Sequence, residues 1–487
     1  MMIRFSALTL FAAAIVLVPA QMPCHAAADI APLEISLAKT VRTALENNLG
    51  LKLRKQDVEI SEGVLLEAES TFDALLSADI AATETSNAPI TFEDSGDERS
   101  AAWNASVRKR FSPGTEFDVS WQNGNLDTDS DIYLFDPIYN TGVTFGVTQP
   151  LLRGRGEKVQ TAEIKSAQSG LQANSFLVDS EAADLAAETK VAYWQLVYAY
   201  QNLEVLKLGL TLAKTLYDDT AAKIRAGKLA SIDIYQPESE VARREEDLIT
   251  GERAIGVAES NLKLLMNSQD WSTPLSPTSE PETAPITPEI AIVFENALEN
   301  RPDLKAAAMQ IRATEFQLDK AQNDILPALN LFGSVGLSGT DDTYTNALDS
   351  SLADSETEWQ VGITISRPFS NSLAKGRLRK AQAENRKSRT SLELLRQNIR
   401  RTVQITVRDI ELALKAIEAT RKTAIATEKR LEAEQIKFDA GRATTLDVLI
   451  AQQDYSSALS AENRATVIYA QTLAELDRIQ GFISIND

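Results

Sequence analysis

The sequence of 487 residues contains one cysteine, Cys24, and one histidine, His25. Both lie in residues 1–28, which have the pattern of an export signal, so we expect the exported chain to lack both side chains. Their loss excludes cysteine nucleophiles, Ser-His-Asp triads, disulfide bonds and nearly all zinc sites. Catalysis by paired carboxylates stays chemically open, but the 69 acidic residues are spread along the chain without a concentrated pair. We therefore expect no enzymatic activity, no cofactor and no metal.

The predicted signal peptide has three parts. Arg4 supplies a positive charge, Phe5–Val18 is an apolar segment too short to span a membrane, and Ala26–Ala28 is a small-residue cleavage site. Bulky residues precede Cys24, which argues against lipidation there. The exported chain is expected to begin near Asp29.

Basic residues are fewer than acidic residues, and long apolar runs are missing. The formal net charge of −20 disfavours nucleic acid as a partner. No segment after the signal reaches the roughly 18 apolar residues of a membrane helix, so entry into a membrane would require a closed β-barrel. The P-loop motif is also missing, so any energy for transport must come from a partner protein.

The chain contains a long internal repeat. Ala44–Asn47 and Ala297–Asn300 both read ALEN, and each is followed by Leu-Lys at the same spacing. AGKLASIDIY, which begins at Ala226, returns as AGRATTLDVL, which begins at Ala440. Repeats in this order predict a duplication. The predicted organisation is a signal peptide (1–28), a first repeat (29–266, strands at about 72–150, long helices at 155–266), a Pro-rich connector (267–290), a second repeat (291–481, strands at about 328–368, long helices at 375–480) and a C-terminal tail (482–487).

A seven-residue apolar step precedes each Ala-Gly motif and predicts coiled-coil packing of long helices. At 1.5 Å per residue each helix would span about 95–100 Å. Gly227 and Gly441 are expected to end these helices at tight turns, after which Ser231 or Thr445 caps a returning helix. The apolar series are Leu196, Leu203, Leu210, Tyr217 and Ile224 in the first repeat, and Val403, Ile410, Ile417, Ala424, Leu431 and Phe438 in the second.

Between the helices, apolar and polar residues alternate as they do in transmembrane strands. We predict strands that start near Phe72, Ala101, Thr115, Thr141, Ala328 and Glu358, with polar loops at Ala88–Arg99, Asn125–Asn140 and Thr340–Ser355. Six strands are too few for a membrane barrel, and open sheet edges cannot lie in lipid. Closure between subunits is therefore required, and a trimer with eighteen strands is the simplest solution. A soluble β-sandwich attached to helices is the alternative, although it leaves the length of the helices unexplained.

Five segments of the sequence resemble the TolC family of outer-membrane efflux and secretion ducts. The segments that carry the resemblance are ENRPDLKAA from Glu299, ILPALNL from Ile325, TQPLLRGRG from Thr148, VAYWQLVYA from Val191 and AGRATTLDVLIAQ from Ala440. The resemblance implies an α+β membrane protein: a trimeric outer-membrane β-barrel continuous with a long periplasmic α-helical coiled-coil barrel. It also implies two partners, a periplasmic adaptor (membrane-fusion) protein and an inner-membrane pump or ABC transporter.

The resemblance also assigns roles to the helix tips. Asp233 and Asp447 match tip aspartates that narrow the periplasmic gate, although stabilisation of a helix start is an alternative role for both. Two positions depart from the pattern: Phe438 replaces a gate tyrosine and cannot donate a hydrogen bond, and Ile450 replaces a second acidic residue. The residues expected to receive the adaptor are Gly227, Lys228, Leu229, Ala230 and Ser231 in the first tip, and Gly441, Arg442, Ala443, Thr444 and Thr445 in the second.

A further departure concerns the strands. The resemblance implies four strands per subunit, so the hairpin at Ala101–Gly124 either adds strands to the barrel, giving 18 rather than 12 in a trimer, or lies outside it. The expected function is that of a passive outer-membrane exit duct for a tripartite efflux pump or a type I secretion system. An exported coiled-coil protein or adhesin that does not conduct is the alternative.

Overall fold

The computed structural model describes residues 31–86, 97–128 and 133–483. The predicted signal peptide, Cys24 and His25 lie outside these ranges, as do parts of the first two predicted loops and residues 484–487. In chain order the elements are β1 (Leu33–Ile35), α1 (Leu37–Asn47), α2 (Leu49–Glu69), β2 (Ala74–Ser86), β3 (Asp97–Arg110), β4 (Glu116–Thr128), β5 (Ile138–Pro150), α3 (Glu157–Gln160), α4 (Ala162–Arg225), α5 (Tyr235–Leu265), β6 (Leu275–Pro277), α6 (Ile290–Asn300), α7 (Pro302–Asn323), β7 (Ala328–Asp341), α8 (Tyr344–Ala353), β8 (Glu356–Ser366), α9 (Ser372–Asp439) and α10 (Thr445–Gln480).

The order of the elements repeats, which confirms the predicted α+β fold built by duplication. In each half a helix leads into strands, the strands into a very long helix, and that helix into a returning helix. The 64 residues of α4 and the 68 of α9 give helices about 100 Å long. The bounds assigned to the two repeats stay a prediction.

The long helices pack side by side, α5 against α4, α4 against α10, and α10 against α9. In α9 the predicted seven-residue series is buried except at Ile417, which is half-buried, and Val403 and Ile410 are fully enclosed. In α4 the series holds through Leu203, after which Leu216 is fully buried and Tyr217 is not. A straight α-helix has 3.6 residues per turn, so a seven-residue pattern drifts around its surface and a neighbouring position takes over the contact.

Six strands form one antiparallel sheet in the order β2-β3-β4-β5-β7-β8. Their starts fall within four residues of the predicted ones. The first strand begins at Ala74 because Phe72 belongs to a 3-10 turn, Ser70–Phe72. The third predicted loop is not purely a loop, since it contains α8, at whose start the Asn346 amide donates to the Thr343 hydroxyl at 3.4 Å.

One face of the sheet is apolar across all six strands. Directly paired residues share a face, and Ile80 pairs with Trp103 just as Val335 pairs with Trp359. Ile80 is 86% exposed and Trp359 73% exposed in the single chain. The opposite face carries polar and small residues, among them Asn104, Gln122, Thr144, Gly336 and Gln360.

At the middle of the molecule, β1 and β6 pair in parallel and join the start of the described chain to the connector. The Tyr193 hydroxyl, fully buried on α4, donates to the Ile35 carbonyl at 3.1 Å and accepts from the Ser279 amide at 2.9 Å. One side chain therefore holds together segments from three distant parts of the sequence. No helix in the described ranges is both long enough and apolar enough to cross a membrane.

Candidate functional site: the two helical tips

Each long helix ends at a glycine in the left-handed region, with φ of +70° at Gly227 and +67° at Gly441. The amides that follow satisfy carbonyls of the last helical turn: Lys228 N–H donates to the Lys223 carbonyl, and Arg442 N–H to the Lys437 carbonyl, both at 2.8 Å. A side chain at a positive φ is strained, so glycine fits both turns. The same sequence motif thus builds the same turn twice.

The second tip is closed by reciprocal hydrogen bonds between Thr444 and Asp447. The Thr444 hydroxyl accepts from the Asp447 amide at 3.3 Å, and the Asp447 carboxylate accepts from the Thr444 amide at 2.8 Å. These bonds satisfy amides that the start of α10 would otherwise leave unpaired. The predicted cap Thr445 is wrong by one position, because Thr445 is buried as the first residue of α10.

The first tip has only half of this arrangement. The Asp233 carboxylate accepts from the Ala230 amide at 3.0 Å, but Ala230 has no side-chain oxygen with which to reciprocate. Ser231, the cap predicted from the sequence, instead lies exposed at the start of a 3-10 turn, Ser231–Ile234, that leads into α5. The first returning helix therefore starts with a weaker cap than the second.

These contacts bear on the two roles considered for the aspartates. In both tips the carboxylate bonds a backbone amide at a helix start, which is the stabilising role. Hydrogen bonds from the Thr444 hydroxyl and amide lower the pKa of Asp447, which keeps its exposed carboxylate charged. A charged carboxylate at the tip is compatible with a second role at an entrance, and the assignment of Asp233 and Asp447 to a gate stays a prediction.

Phe438 lies inside the second tip and is 2% exposed. It packs in one cluster with Leu216 of α4, Leu431 of α9 and Val448 of α10. Its ring thus fills the space between three helices and does not face solvent. A tyrosine hydroxyl at this position is not needed to bring these helices together.

Lys223 joins the end of α4 to the end of α9. Its ammonium lies 3.5 Å from the centroid of the Phe438 ring, donates to the Phe438 carbonyl at 2.7 Å and contacts the Asp439 carboxylate at 3.2 Å. A lysine over a partly dehydrated ring, with a carbonyl and a carboxylate in reach, makes a specific bridge. The sequence pattern did not single out Lys223, although its spacing before Gly227 returns as Lys437 before Gly441.

The residues predicted to receive an adaptor have different exposures. Exposed in the single chain are Gly227, Lys228, Ala230, Ser231, Gly441, Arg442 and Thr444, whereas Leu229 and Ala443 are half-buried and pack against the Phe438 cluster. The structure adds exposed apolar side chains that the heptad pattern does not use. They are Ile232, Tyr235, Ile436, Leu446 and Ile450, each between 44% and 71% exposed.

In the part of the chain that the structure describes, no group of three or more acidic, histidine or cysteine side chains is placed to hold a metal ion. The chemistry at the tips is therefore that of caps, one ammonium bridge and exposed apolar residues. Such an arrangement can bind a partner helix or restrict a passage.

Residues 293–481 match the model of the outer membrane efflux protein family. Comparison with curated proteins gave no match. The fold is similar to that of the outer-membrane channel OprN, at 17% identity, a TM-score of 0.71 and coverage of 91% of this chain and 89% of that one. It is also similar to the outer membrane protein VceC of Vibrio cholerae (17% identity, TM-score 0.69, 92% and 96% covered) and to the MtrE outer membrane channel of Neisseria gonorrhoeae (18% identity, TM-score 0.64, 92% and 89% covered).

The family match confirms the predictions of an outer-membrane location and of a transport channel as opposed to an enzyme. It also confirms the resemblance seen in the sequence motifs: residues 293–481 match the outer membrane efflux protein family, and the described chain has the fold of the outer-membrane channels to which it is similar.

Proposed function

We propose that three copies of this chain form a passive exit duct across the outer membrane, continuous with a helical tunnel in the periplasm. The observation that carries the proposal is the exposed apolar face shared by all six strands. Burial of such a face in lipid removes it from water, at about 25 cal/mol per Å². A soluble sheet would not leave side chains such as Ile80 and Trp359 uncovered.

The backbone groups at the two edges of the sheet need partners from further copies of the chain. Among the described residues, β2 and β8 each pair on one side only, and unpaired backbone groups in lipid cost several kcal/mol each. Pairing of β8 with β2 of the next copy satisfies both edges. Three copies supply eighteen strands and arrange the long helices with threefold symmetry around one axis.

The tips are the proposed meeting point with a periplasmic adaptor. Lys228 and Arg442 expose positive charge beside apolar side chains such as Ile232 and Leu446. An apolar centre with a polar rim is typical of protein interfaces. The adaptor would connect the duct to an inner-membrane pump of a tripartite efflux system or to the ABC transporter of a type I secretion system.

The tips also form the proposed gate. Copies of Asp447 around a threefold axis would favour cations, because like carboxylates repel one another and attract positive charge. The bridge from Lys223 to Phe438 holds α9 against α4 and so opposes movement of the second hairpin away from the first. Partner contacts at the tips would supply the energy that breaks it.

The non-conducting coiled-coil scaffold is separated from the duct by two measurements. The mature protein extracted in detergent should have the native mass of a trimer and should conduct in a planar bilayer. Asp447→Asn should weaken cation selectivity while leaving the mass unchanged. A soluble monomer, or a trimer without conductance, would contradict the duct, and unchanged selectivity would remove Asp447 from the gate.

A further inference from the structure

The two halves of the sheet differ by one hairpin. β2 follows α2 as β7 follows α7, and β5 precedes the long α4 as β8 precedes the long α9. In the second half the two corresponding strands pair directly. In the first half β3 and β4 are inserted between them, so that β2 pairs with β3 and β5 with β4.

The inserted hairpin has the construction of the rest of the sheet. β3 and β4 have 14 and 13 residues, as long as β7 and β2, and they are paired along their whole length. Trp103, Ala105 and Val107 continue the apolar face, while Asn104 and Ser106 continue the polar face. A hairpin that lies in water would not need an apolar face that continues the apolar face of the adjacent strands.

The second half supplies a helix that fixes the hairpin in place. α8 lies so close to β7 at Gly339 that an added Cβ would be 2.3 Å from the Ala347 carbonyl oxygen. From there Tyr344 reaches across the sheet, where its ring lies 5.6 Å from that of Trp103 and its hydroxyl donates to the Asn123 side chain at 3.2 Å. Thr141 donates to the same Asn123 oxygen at 2.7 Å.

These contacts matter because Asn123 and Thr141 are polar residues on the apolar face. They are 4% and 2% exposed, hidden beneath α8 and bonded to one another. Buried polar groups that are fully bonded specify one arrangement of strands, since any other leaves them unpaired. α8 thus joins β7 to β3 and β4 by contacts that a detached hairpin would lose.

We propose that the β3–β4 hairpin is the element that sets the bore of the outer exit, and that it does so as barrel wall. The proposal rests on the trimeric duct of the preceding section. Three copies then contribute eighteen strands, and without the hairpin they would contribute twelve. With strands about 4.8 Å apart and tilted by about 40°, the backbone diameter is about 36 Å for eighteen strands and about 24 Å for twelve.

The polar face keeps this additional width open. β5 presents Gly142 and Thr144 to it, and β7 presents Ser334 and Gly336. Small residues on the inner face leave room that large side chains would fill. The backbone opening of the outer exit is accordingly about 12 Å wider than a four-strand subunit would allow, which leaves the periplasmic tips as the proposed place of size selection.

The test is a variant from which residues 97–128 are deleted. β2 and β5 then stand where β7 and β8 stand in the second half, and their apolar residues already face the same side. Polyethylene glycols of graded size, added to the outer side of the channel in a planar bilayer, report the width of that entrance. We expect the variant to exclude polymers that enter the parent channel, and equal size limits in two conducting channels would overturn the proposal. Absence of conductance in the parent would instead contradict the duct itself.

A second measurement does not depend on the folding of the deletion variant. Ser120 of β4 and Thr144 of β5 are directly opposed, so cysteines at both positions should be joined by a short bifunctional thiol reagent in the intact trimer. The matched control combines Ser120→Cys with Glu358→Cys on β8, which is in the same register but three strand spacings away, at about 14 Å. Cross-linking of the first pair alone supports the proposal. Failure of the first pair in a conducting trimer places the hairpin outside the wall and refutes it.

Discussion

The first and second halves of this chain share a plan and differ in how they complete it. Both have a glycine turn and an aspartate that bonds a backbone amide at the start of the returning helix. The second half adds a reciprocal threonine cap, and the first supplies the lysine that bridges to the second. After duplication the residues that fix the backbone remain in both copies, while side chains that make tertiary contacts are divided between them.

The strongest test of this comparison is in the core. Leu196 and Ile410 occupy the same place relative to their tip glycines, and each is fully buried. Leu196→Ala and Ile410→Ala should each destabilise the protein by about 2–5 kcal/mol, because each leaves a cavity between packed helices. Thermal denaturation of the detergent-extracted protein measures both. As controls, the volume-conserving Leu196→Met and Ile410→Leu should each destabilise the protein by less than about 1.5 kcal/mol. A large difference between the two alanine variants would show that the two halves are not packed in the same way.

The next largest effect should separate the two equivalent lysines. Lys223→Met removes the contacts with the Phe438 ring and carbonyl, a loss of about 1–3 kcal/mol, which shifts a closed–open equilibrium roughly 5- to 150-fold. Open probability in a planar bilayer measures this shift. Lys437→Met is the matched control, since Lys437 pairs only with Glu434 on its own helix among the bridges at this tip. If both variants open equally, the bridge has no part in closing the tip.

A smaller effect, of opposite sign in the two halves, is expected from the caps. Thr444→Ala should cost about 1 kcal/mol because the cap of α10 loses its hydroxyl. Ala230→Thr should stabilise the first tip by about 0.5 kcal/mol, since the backbone there is already extended, with φ −75° and ψ 150°. Hydrogen exchange of the tip amides detects both changes. Destabilisation by Ala230→Thr would mean that the first turn is not limited by a missing cap.

The smallest expected effect depends on pH. The folded-state pKa of Asp447 is lowered by its bonds to Thr444, so its contribution to stability is present above the unfolded-state pKa of about 4. That contribution is lost as the pH falls through the lower folded-state value. Amide exchange over residues 440–450, corrected for intrinsic rates, should therefore accelerate in acid below about pH 4. The acceleration should be missing in Asp447→Asn, and its persistence there would assign it to another group.

Much of the fold could be predicted because it depends on local periodicity. The seven-residue series predicts α9 from Val403 to Phe438, and period-two alternation finds the six strands. α8 was not predicted because most residues of Tyr344–Ala353 are small or polar and form no apolar stripe. The helix is stabilised instead by its packing on Gly339. The sequence also could not place the hairpin at Ala101–Gly124, since only pairing shows that β3 and β4 lie between β2 and β5.

The site was predictable only where it depends on the backbone. Gly227, Gly441 and the two aspartates follow from turn and cap chemistry. The cap at Thr444 was missed by one residue, which is the usual uncertainty of a helix boundary. Lys223 could not be found from local pattern, because its contacts with Phe438 and Asp439 join residues more than 200 positions apart.

The junction at Tyr193 has a consequence for the order in which the protein is made. A chain that leaves the cytoplasm N-terminus first releases Ile35 long before Ser279, and Tyr193 needs both. Contacts between distant positions form late, because the entropy of closing a large loop must be overcome first. The hairpins β2–β3 and β4–β5 involve near neighbours and can form early, with their apolar face still in water. The chain is therefore most prone to aggregate after its strands have appeared and before its connector arrives.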